Sequence, residues 1–358
     1  MRVVHISLAP VAGAPIKVVK ALRTYGGIHA RLVNLDPNFY RGRTFPEDLC
    51  WPQDKDTIYA EIQSADIIHL HQSVLLEEPT LQLNFKDKLR FPKTHFIREW
   101  HSEPGLFKRF NRTDLDGFDD ETFPLLVMAQ YHERYYPQGI PVPLLTNVED
   151  FADIPLAMPF PPLVAYSPST RLPLQKWRWT SKGYEETMMV LRDLQKEYTF
   201  DIDVIENVPW QEAVERKKRA TFVIDDLVTG SFHTSGLEGL ALGKPTFAYL
   251  DSRTVATLAT LTGSNALPFI NCNINNFPAI FRRLLQDAAL CNSIGQYSKQ
   301  WMYRYYHEKK LIRHYIAIYE KLLDGTLPPR HAVQRTPGEN FFATELYDLH
   351  FQILHGLG

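Results

Sequence analysis

The sequence predicts an α/β protein built from two parallel-sheet domains, and three observations carry that expectation. Short apolar, β-rich runs alternate with longer polar or helical spacers, which is the pattern of parallel strands joined by crossover helices. The pattern stops in a stretch dense in proline and then restarts. A length of 358 residues, at about 150 per domain, suggests two domains.

Each element follows from local signals. Val3-Val4-His5-Ile6 reads as the first strand, and Pro10 to Pro15 as a small-residue loop around Gly13. Pro15 suits a first helical position, Val18, Val19 and Leu22 fall on one face, and Tyr25-Gly26-Gly27 stops the helix. His29 to Leu35 reads as the second strand. Further strands are expected at Asp66 to Leu70, Thr94 to Ile97 and Leu125 to Ala129. Seven prolines between Pro137 and Pro162 break helix and sheet alike, so this stretch reads as an interdomain linker. Beyond it, strands are expected at Leu163 to Tyr166, Phe200 to Ile205, Thr221 to Ile224 and Thr246 to Leu250. Helices are expected at Tyr184 to Tyr198, Trp210 to Arg219, Gly236 to Leu242, Phe277 to Leu290 and the aromatic stretch Tyr297 to Leu323. The domain plan is therefore 1–150, a linker at 151–162, 163–300, a helix at 301–327 and a tail at 328–358. Two such sheets facing each other place a cleft at the carboxyl ends of their strands, where open α/β folds bind ligands.

Composition narrows the function. With 44% hydrophobic and 22% charged residues the chain is an ordinary globular one, which excludes disordered, collagen-like and disulfide-scaffold classes. Lys+Arg 39 against Asp+Glu 41 leaves a net charge of -2, so no overall basic field draws it to nucleic acid or to an anionic membrane. Cys50, Cys272 and Cys291 show no disulfide or metal-ligand spacing, in keeping with a reducing, cytoplasmic setting. No run approaches the 18 or so apolar residues of a spanning helix. His5, Ser7 and Pro10 interrupt the apolar amino terminus, so a strand, a loop and a helix describe it better than a signal peptide. Leu106-Phe107-Lys108-Arg109-Phe110-Asn111-Arg112, with Lys86, Lys88, Arg90 and Lys93 upstream, reads as a solvated face, with peripheral membrane contact as the alternative.

The most informative segment runs from Asp225-Asp226 to Gly243-Lys244-Pro245: a strand end, a polar loop and a short helix of small residues. Thr234 or Ser235 is expected to cap that helix, which would leave backbone N–H groups and the positive dipole end free for an anion. Glu238, one turn in, could accept the hydroxyls of a ribose; the plainer roles are a cap for Ser235 and a dipole partner for Glu238. Asp201-Ile202-Asp203 could suggest a metal-holding Asp-x-Asp pair, but Phe200, Ile202 and Val204 alternate with the aspartates as in an ordinary half-buried strand. Asp114-Leu115-Asp116, in a polar, turn-rich stretch, makes no better metal site.

Leu237-Glu238-Gly239-Leu240-Ala241-Leu242-Gly243-Lys244-Pro245 resembles the donor-site block Leu-Glu-Ala-Met-Ala-x-Gly-x-Pro of GT-B glycosyltransferases, particularly the retaining group that uses nucleotide sugars. The loop around Gly13, Asp66-Ile67-Ile68-His69-Leu70-His71, Glu99-Trp100-His101-Ser102 and Thr146-Asn147-Val148-Glu149 are similar to further elements of that group. So are Ser167-Pro168-Ser169-Thr170-Arg171 and Ser181-Lys182-Gly183, where the family brings two cations to the donor diphosphate. Lys176 and Arg178 are alternatives to Arg171. The resemblance implies two Rossmann-like domains facing a cleft, with a carboxyl-terminal helix crossing back to the first. It implies a transferase that moves a sugar from a nucleotide diphospho-sugar to a hydroxyl acceptor, glycan, lipid-linked or protein-linked, with retention and with neither a metal nor a resident cofactor. Glu238 would then bind ribose, Lys182 and Arg171 the diphosphate, and Gly13, Thr234, Ser235 and Gly236 the phosphates, with His101 beside the transferred sugar. The sequence departs from the family at Gly230, where the family carries a second glutamate. That departure leaves open an inactive accessory subunit, and the fold also accommodates a nucleotide-sugar epimerase.

Overall fold

The computed structural model describes residues 1–36, 45–102, 123–130, 136–151, 159–168 and 181–333. They divide into two compact units, one holding Met1–Leu145 and the segment that returns from Glu308, the other Thr146–His307.

The first unit carries a seven-stranded parallel sheet in the order β3-β2-β1-β4-β7-β8-β9. Its strands are β1 (Arg2–Ser7), β2 (His29–Asn34), β3 (Leu49–Cys50), β4 (Ile67–His71), β7 (His95–Trp100), β8 (Leu125–Met128) and β9 (Ile140–Val142). A small antiparallel pair, β5 (Glu77–Glu78) and β6 (Leu83–Asn84), stands apart from it. Helix α1 (Ala14–Gly26) starts after Gly13, whose φ of +72° favours glycine, and α2 (Lys55–Gln63) leads into β4. β4 lies between β1 and β7 and is buried at every position, as a central parallel strand covered on both faces must be. One face packs an apolar core that includes Val4, Ile6, Ile68, Leu70 and Phe96. The register places His5 beside His69 and His71 beside Glu99, so the opposite face collects polar side chains.

The second unit has a five-stranded parallel sheet in the order β11-β10-β12-β13-β14, from β10 (Leu163–Tyr166), β11 (Asp201–Val204), β12 (Phe222–Asp226), β13 (Thr246–Ala248) and β14 (Ile270–Asn271). Its helices are α3 (Tyr184–Leu194), α4 (Trp210–Arg219), α5 (Thr234–Ala241), α6 (Ser252–Thr262), α7 (Phe277–Leu285) and α8 (Ala288–Trp301). A core of Tyr166, Leu191, Phe222, Phe247, Phe277 and Phe281, among others, lies on the sheet. After a π-helical turn at Met302–Tyr306, α9 (Glu308–Leu323) belongs to the first unit and packs on α1.

Several expectations are corrected. The proline-dense stretch is not all linker: β9 contains Pro141 and, among the described residues, pairs only with β8, and an edge strand tolerates a residue without an N–H. The units divide between Leu145 and Thr146, before the expected linker. The aromatic stretch is not one helix, because the π turn and His307 separate α8 from α9. The run from Phe277 to Leu290 is likewise broken, at Asp287, whose side chain caps α8 by accepting from Leu290 N. α6 was not anticipated. Its threonine-rich sequence has weak helix propensity, but Asp251 caps it at Thr254 N (2.8 Å) and Gly263, at φ +69°, ends it.

Candidate functional site

In the second unit the polar groups converge where β12 ends. Asp225 is fully buried and accepts from Lys182 Nζ at 3.1 Å and from His233 N at 2.6 Å. Burial by itself would raise the Asp225 carboxyl; the Lys182 ammonium and His233 outweigh it and hold this group well below the usual carboxylate range. Its neighbour Asp226 folds the following loop by accepting from Val228 N (2.8 Å), Thr229 N (2.9 Å) and the Thr229 hydroxyl. Burial pushes the Asp226 carboxyl up.

That loop delivers α5. The helix begins earlier than expected: its N-cap is His233, without a side-chain cap bond, and Thr234 and Ser235 lie inside its first turn. The ladder opens with Gly236 N and Leu237 N on His233 O (3.1 and 3.2 Å), so the Thr234 and Ser235 amides stand ahead of it. Ser235 Oγ and Ser231 Oγ are buried with no hydrogen-bond partner among the described residues. Gly236 is required here, because a Cβ would stand 2.5 Å from Asp225 Oδ2 and 2.9 Å from Phe269. Amides, the dipole end and an unpaired hydroxyl beside an ion pair can hold an anion.

Glu238 is engaged otherwise than the ribose role requires. Its carboxylate is buried and accepts from Trp210 Nε1 at 2.8 Å and Lys217 Nζ at 2.6 Å, both from α4. A ribose hydroxyl would have to share or displace these donors. Gly230 has φ +86°, and a Cβ there would lie 3.2 Å from the Asp251 carboxylate, so a glutamate at this position would need a different backbone. Lys182 also has positive φ (51°), and its side chain is turned into the protein. Arg171, Lys176, Arg178, Asp114-Leu115-Asp116 and residues 106–112 lie outside the described residues. Asp203 is taken up by Arg216, whose Nε donates to it at 3.0 Å, while Asp201 is exposed.

Gly13 and His101 belong to the first unit. Gly13 is the N-cap of α1 and packs against Phe45. His101 does not stand alone; it is the outermost member of a buried polar cluster. His71 Nδ1 is 2.9 Å from His101 Nε2, and His71 Nε2 is 2.9 Å from His5 Nδ1. His69 Nδ1 meets the Tyr319 hydroxyl at 2.7 Å, and that hydroxyl is 3.4 Å from His5 Nε2. Glu99 faces His69 Nε2 (3.0 Å) and His101 Nε2 (3.4 Å) and accepts from the Tyr315 hydroxyl at 3.1 Å. Burial keeps all four imidazoles neutral: it lowers His69 to about 3, depresses His5 and His71 strongly, and lowers His101 against the opposing pull of Glu99. Burial raises the Glu99 carboxyl. Only His101 was singled out as a site residue, yet a signal for the rest is present. His5, His69-x-His71 and Glu99-x-His101 recur at a spacing of two on adjacent strands, which puts them on one face.

No family model and no curated protein matches the sequence. Solved structures do. A glycosyltransferase from Rickettsia africae superposes over 90% of this chain and 98% of its own, with a TM-score of 0.56 at 12% identity. HepE from Anabaena, in complex with UDP-glucose, covers 90% of this chain and 100% of its own, with a TM-score of 0.55 at 10% identity. The chain has a GT-B fold. A sucrose-phosphate synthase from Thermosynechococcus elongatus also matches, at 12% identity and a TM-score of 0.51 over 91% of this chain and 100% of its own. Among the described residues of this GT-B chain, no helix is long and apolar enough to cross a membrane.

Proposed function

We propose that the protein is a glycosyltransferase that moves a sugar from a nucleotide diphospho-sugar to a hydroxyl acceptor. The observation that carries this reading is the start of α5, where two amides ahead of the helical ladder and the unpaired Ser235 hydroxyl stand beside the Lys182–Asp225 pair. That is an anion site at the carboxyl end of a parallel strand, and a GT-B relative holds UDP-glucose. In the transfer, the acceptor oxygen bonds to the anomeric carbon on the face from which the diphosphate departs, the bond to the diphosphate oxygen breaks with its electron pair leaving on the diphosphate, and the acceptor's hydroxyl proton passes to that departing diphosphate. The α5 amides and the Lys182 ammonium stabilise that charge without a metal at the donor, and configuration is retained. The acceptor is a glycan, lipid-linked or protein-linked hydroxyl. His101 presents its outer edge to the sugar while its Nε2 faces the buried cluster. The setting is cytoplasmic.

Glu238 and Gly230 favour one other reading, a GT-B accessory subunit that binds nucleotide and does not turn it over, because the carboxylate is already paired and the second glutamate is absent. Thermal unfolding with UDP, GDP, ADP, CMP and dTDP tests the site. A nucleotide at 100 times its dissociation constant raises stability by about 2.7 kcal/mol. Ser235→Asp suits the positive end of the helix yet repels phosphate, so it should fold and lose the shift. No shift with any nucleotide in the unaltered protein overturns the donor site. A shift without release of nucleotide from the matching sugar donor favours the accessory subunit.

A further inference from the structure

The buried cluster of the first unit is more than a support for His101. We propose that His71 Nδ1, His101 Nε2 and the Glu99 carboxylate form a binding site for a divalent first-row transition ion, with zinc as the expected occupant. This site does not depend on the transferase activity and places no metal at the donor.

Geometry favours these two nitrogens together with the carboxylate, whose two oxygens face one nitrogen each. A tetrahedral ion with metal–ligand bonds of about 2.0–2.2 Å sets its ligand atoms roughly 3.3 Å apart. The observed separations bracket that value: 2.9 Å between the two nitrogens, 3.4 Å from His101 Nε2 to Glu99 Oε1, and 3.9 Å from His71 Nδ1 to Glu99 Oε2. The other convergent trio, His5, His69 and His71, fits less well. Its nitrogens are already engaged with one another and with a tyrosine: His71 Nε2 lies 2.9 Å from His5 Nδ1, and His69 Nδ1 meets the Tyr319 hydroxyl at 2.7 Å. His71 and His101 are tilted by 41° and approach edge to edge.

The surrounding protons fit as well. A ligating histidine ordinarily donates its other ring N–H to a fixed partner, which sets the tautomer. His71, bound through Nδ1, donates Nε2–H to His5 Nδ1 at 2.9 Å; His5 then presents Nε2–H to the Tyr319 oxygen at 3.4 Å. Tyr319 donates its hydroxyl proton to His69 Nδ1 at 2.7 Å, which leaves His69 Nε2–H facing Glu99 Oε2 at 3.0 Å. That last contact lacks hydrogen-bond geometry, and both His69 Nε2 and Glu99 Oε2 are buried without a hydrogen-bond partner among the described residues. An ion drawing on Oε2 supplies that oxygen with the partner it lacks, while Oε1 keeps the Tyr315 hydroxyl. Every imidazole of the cluster stays neutral. His101 need only carry its proton on Nδ1, and it is the one ligand whose side chain is not fully sealed, which gives the ion a way in. Nitrogen and carboxylate oxygen, without sulfur, is a donor set for zinc and its neighbours in the first row.

The test uses the full chain. Metal content is measured after dialysis against a chelator and again after titration with zinc, and cobalt(II) is added as a spectroscopic probe. About one equivalent per chain should bind, cobalt should develop the visible absorption of a four-coordinate N/O site, and the unfolding midpoint should rise. His101→Ala should lose that equivalent. His29→Ala, in the same unit but outside the cluster, should keep it, and His101→Cys should keep it with an added thiolate-to-cobalt band. If neither ion binds, or if His101→Ala retains it, the site is overturned and the cluster is a hydrogen-bonded network only. Both readouts are metal content and spectra, so failure here is distinguishable from failure of the transferase reading.

Discussion

At the scale of single residues the Lys182–Asp225 pair decides most. Both side chains are buried, so removing one charge strands the other, at a cost of about 3–5 kcal/mol. Asp225→Asn and Lys182→Met should each be destabilising by roughly that much, and the double variant by clearly less than their sum, as chemical unfolding of the cycle would show. Additive losses would mean that the pair is not coupled. A pH dependence follows. The folded carboxyl lies below its unfolded value near 3.9, so its contribution is complete above about pH 4 and is lost as pH falls below that. Asp225→Asn should therefore flatten the acid limb of stability against pH. The sequence showed Lys182 and Asp225 as separate features, one in the Ser181-Lys182-Gly183 element and one at a strand end. Their pairing is a contact across 43 positions that no local pattern encodes. Glu238 shows the same limit: its spacing matches a ribose ligand, but Trp210 and Lys217 already hold it.

At the scale of elements, what the sequence revealed depended on periodicity. Continuously buried strands such as β1 and β4 were legible because a buried parallel strand is a largely apolar run, and α1 because proline and glycine mark its ends. The short β14, at two residues, and α6, whose start rests on one aspartate cap, carry too little pattern to be seen. Close packing between helices is likewise visible only in three dimensions. In α8, a Cβ on Gly295 would stand 2.1 Å from the carbonyl oxygen of Gly243, in the turn after α5. Intrinsic propensity favours alanine over glycine in a helix by about 1 kcal/mol, whereas overpacking costs typically 1–3 kcal/mol, and here the obstacle is backbone. Gly295→Ala should thus be net destabilising, read as a lower urea midpoint at unchanged slope. A higher midpoint would show that α8 can move away from the turn.

At the scale of the whole molecule, the chain completes its first unit last. α9 supplies Leu311, Ile312, Tyr315, Ile318 and Tyr319 to that unit's interior, and the two tyrosine hydroxyls close the polar cluster on Glu99 and on His5 and His69. Burial of five such side chains, at about 1.5–3 kcal/mol each, is of the order of 10 kcal/mol. That is as large as the whole stability of an ordinary domain. A chain ending at His307 should therefore lose the first unit while the second, whose core among the described residues draws nothing from α9, stays folded. Hydrogen exchange would show the division directly. Amides of β1, β4 and β7 should exchange freely in the truncated chain, whereas those of β10 and β12 should keep their protection. Protection retained in β1 and β4 would mean that the sheet and its apolar core suffice without the returning helix. Loss of protection in β10 and β12 as well would mean that the second unit depends on a folded first one.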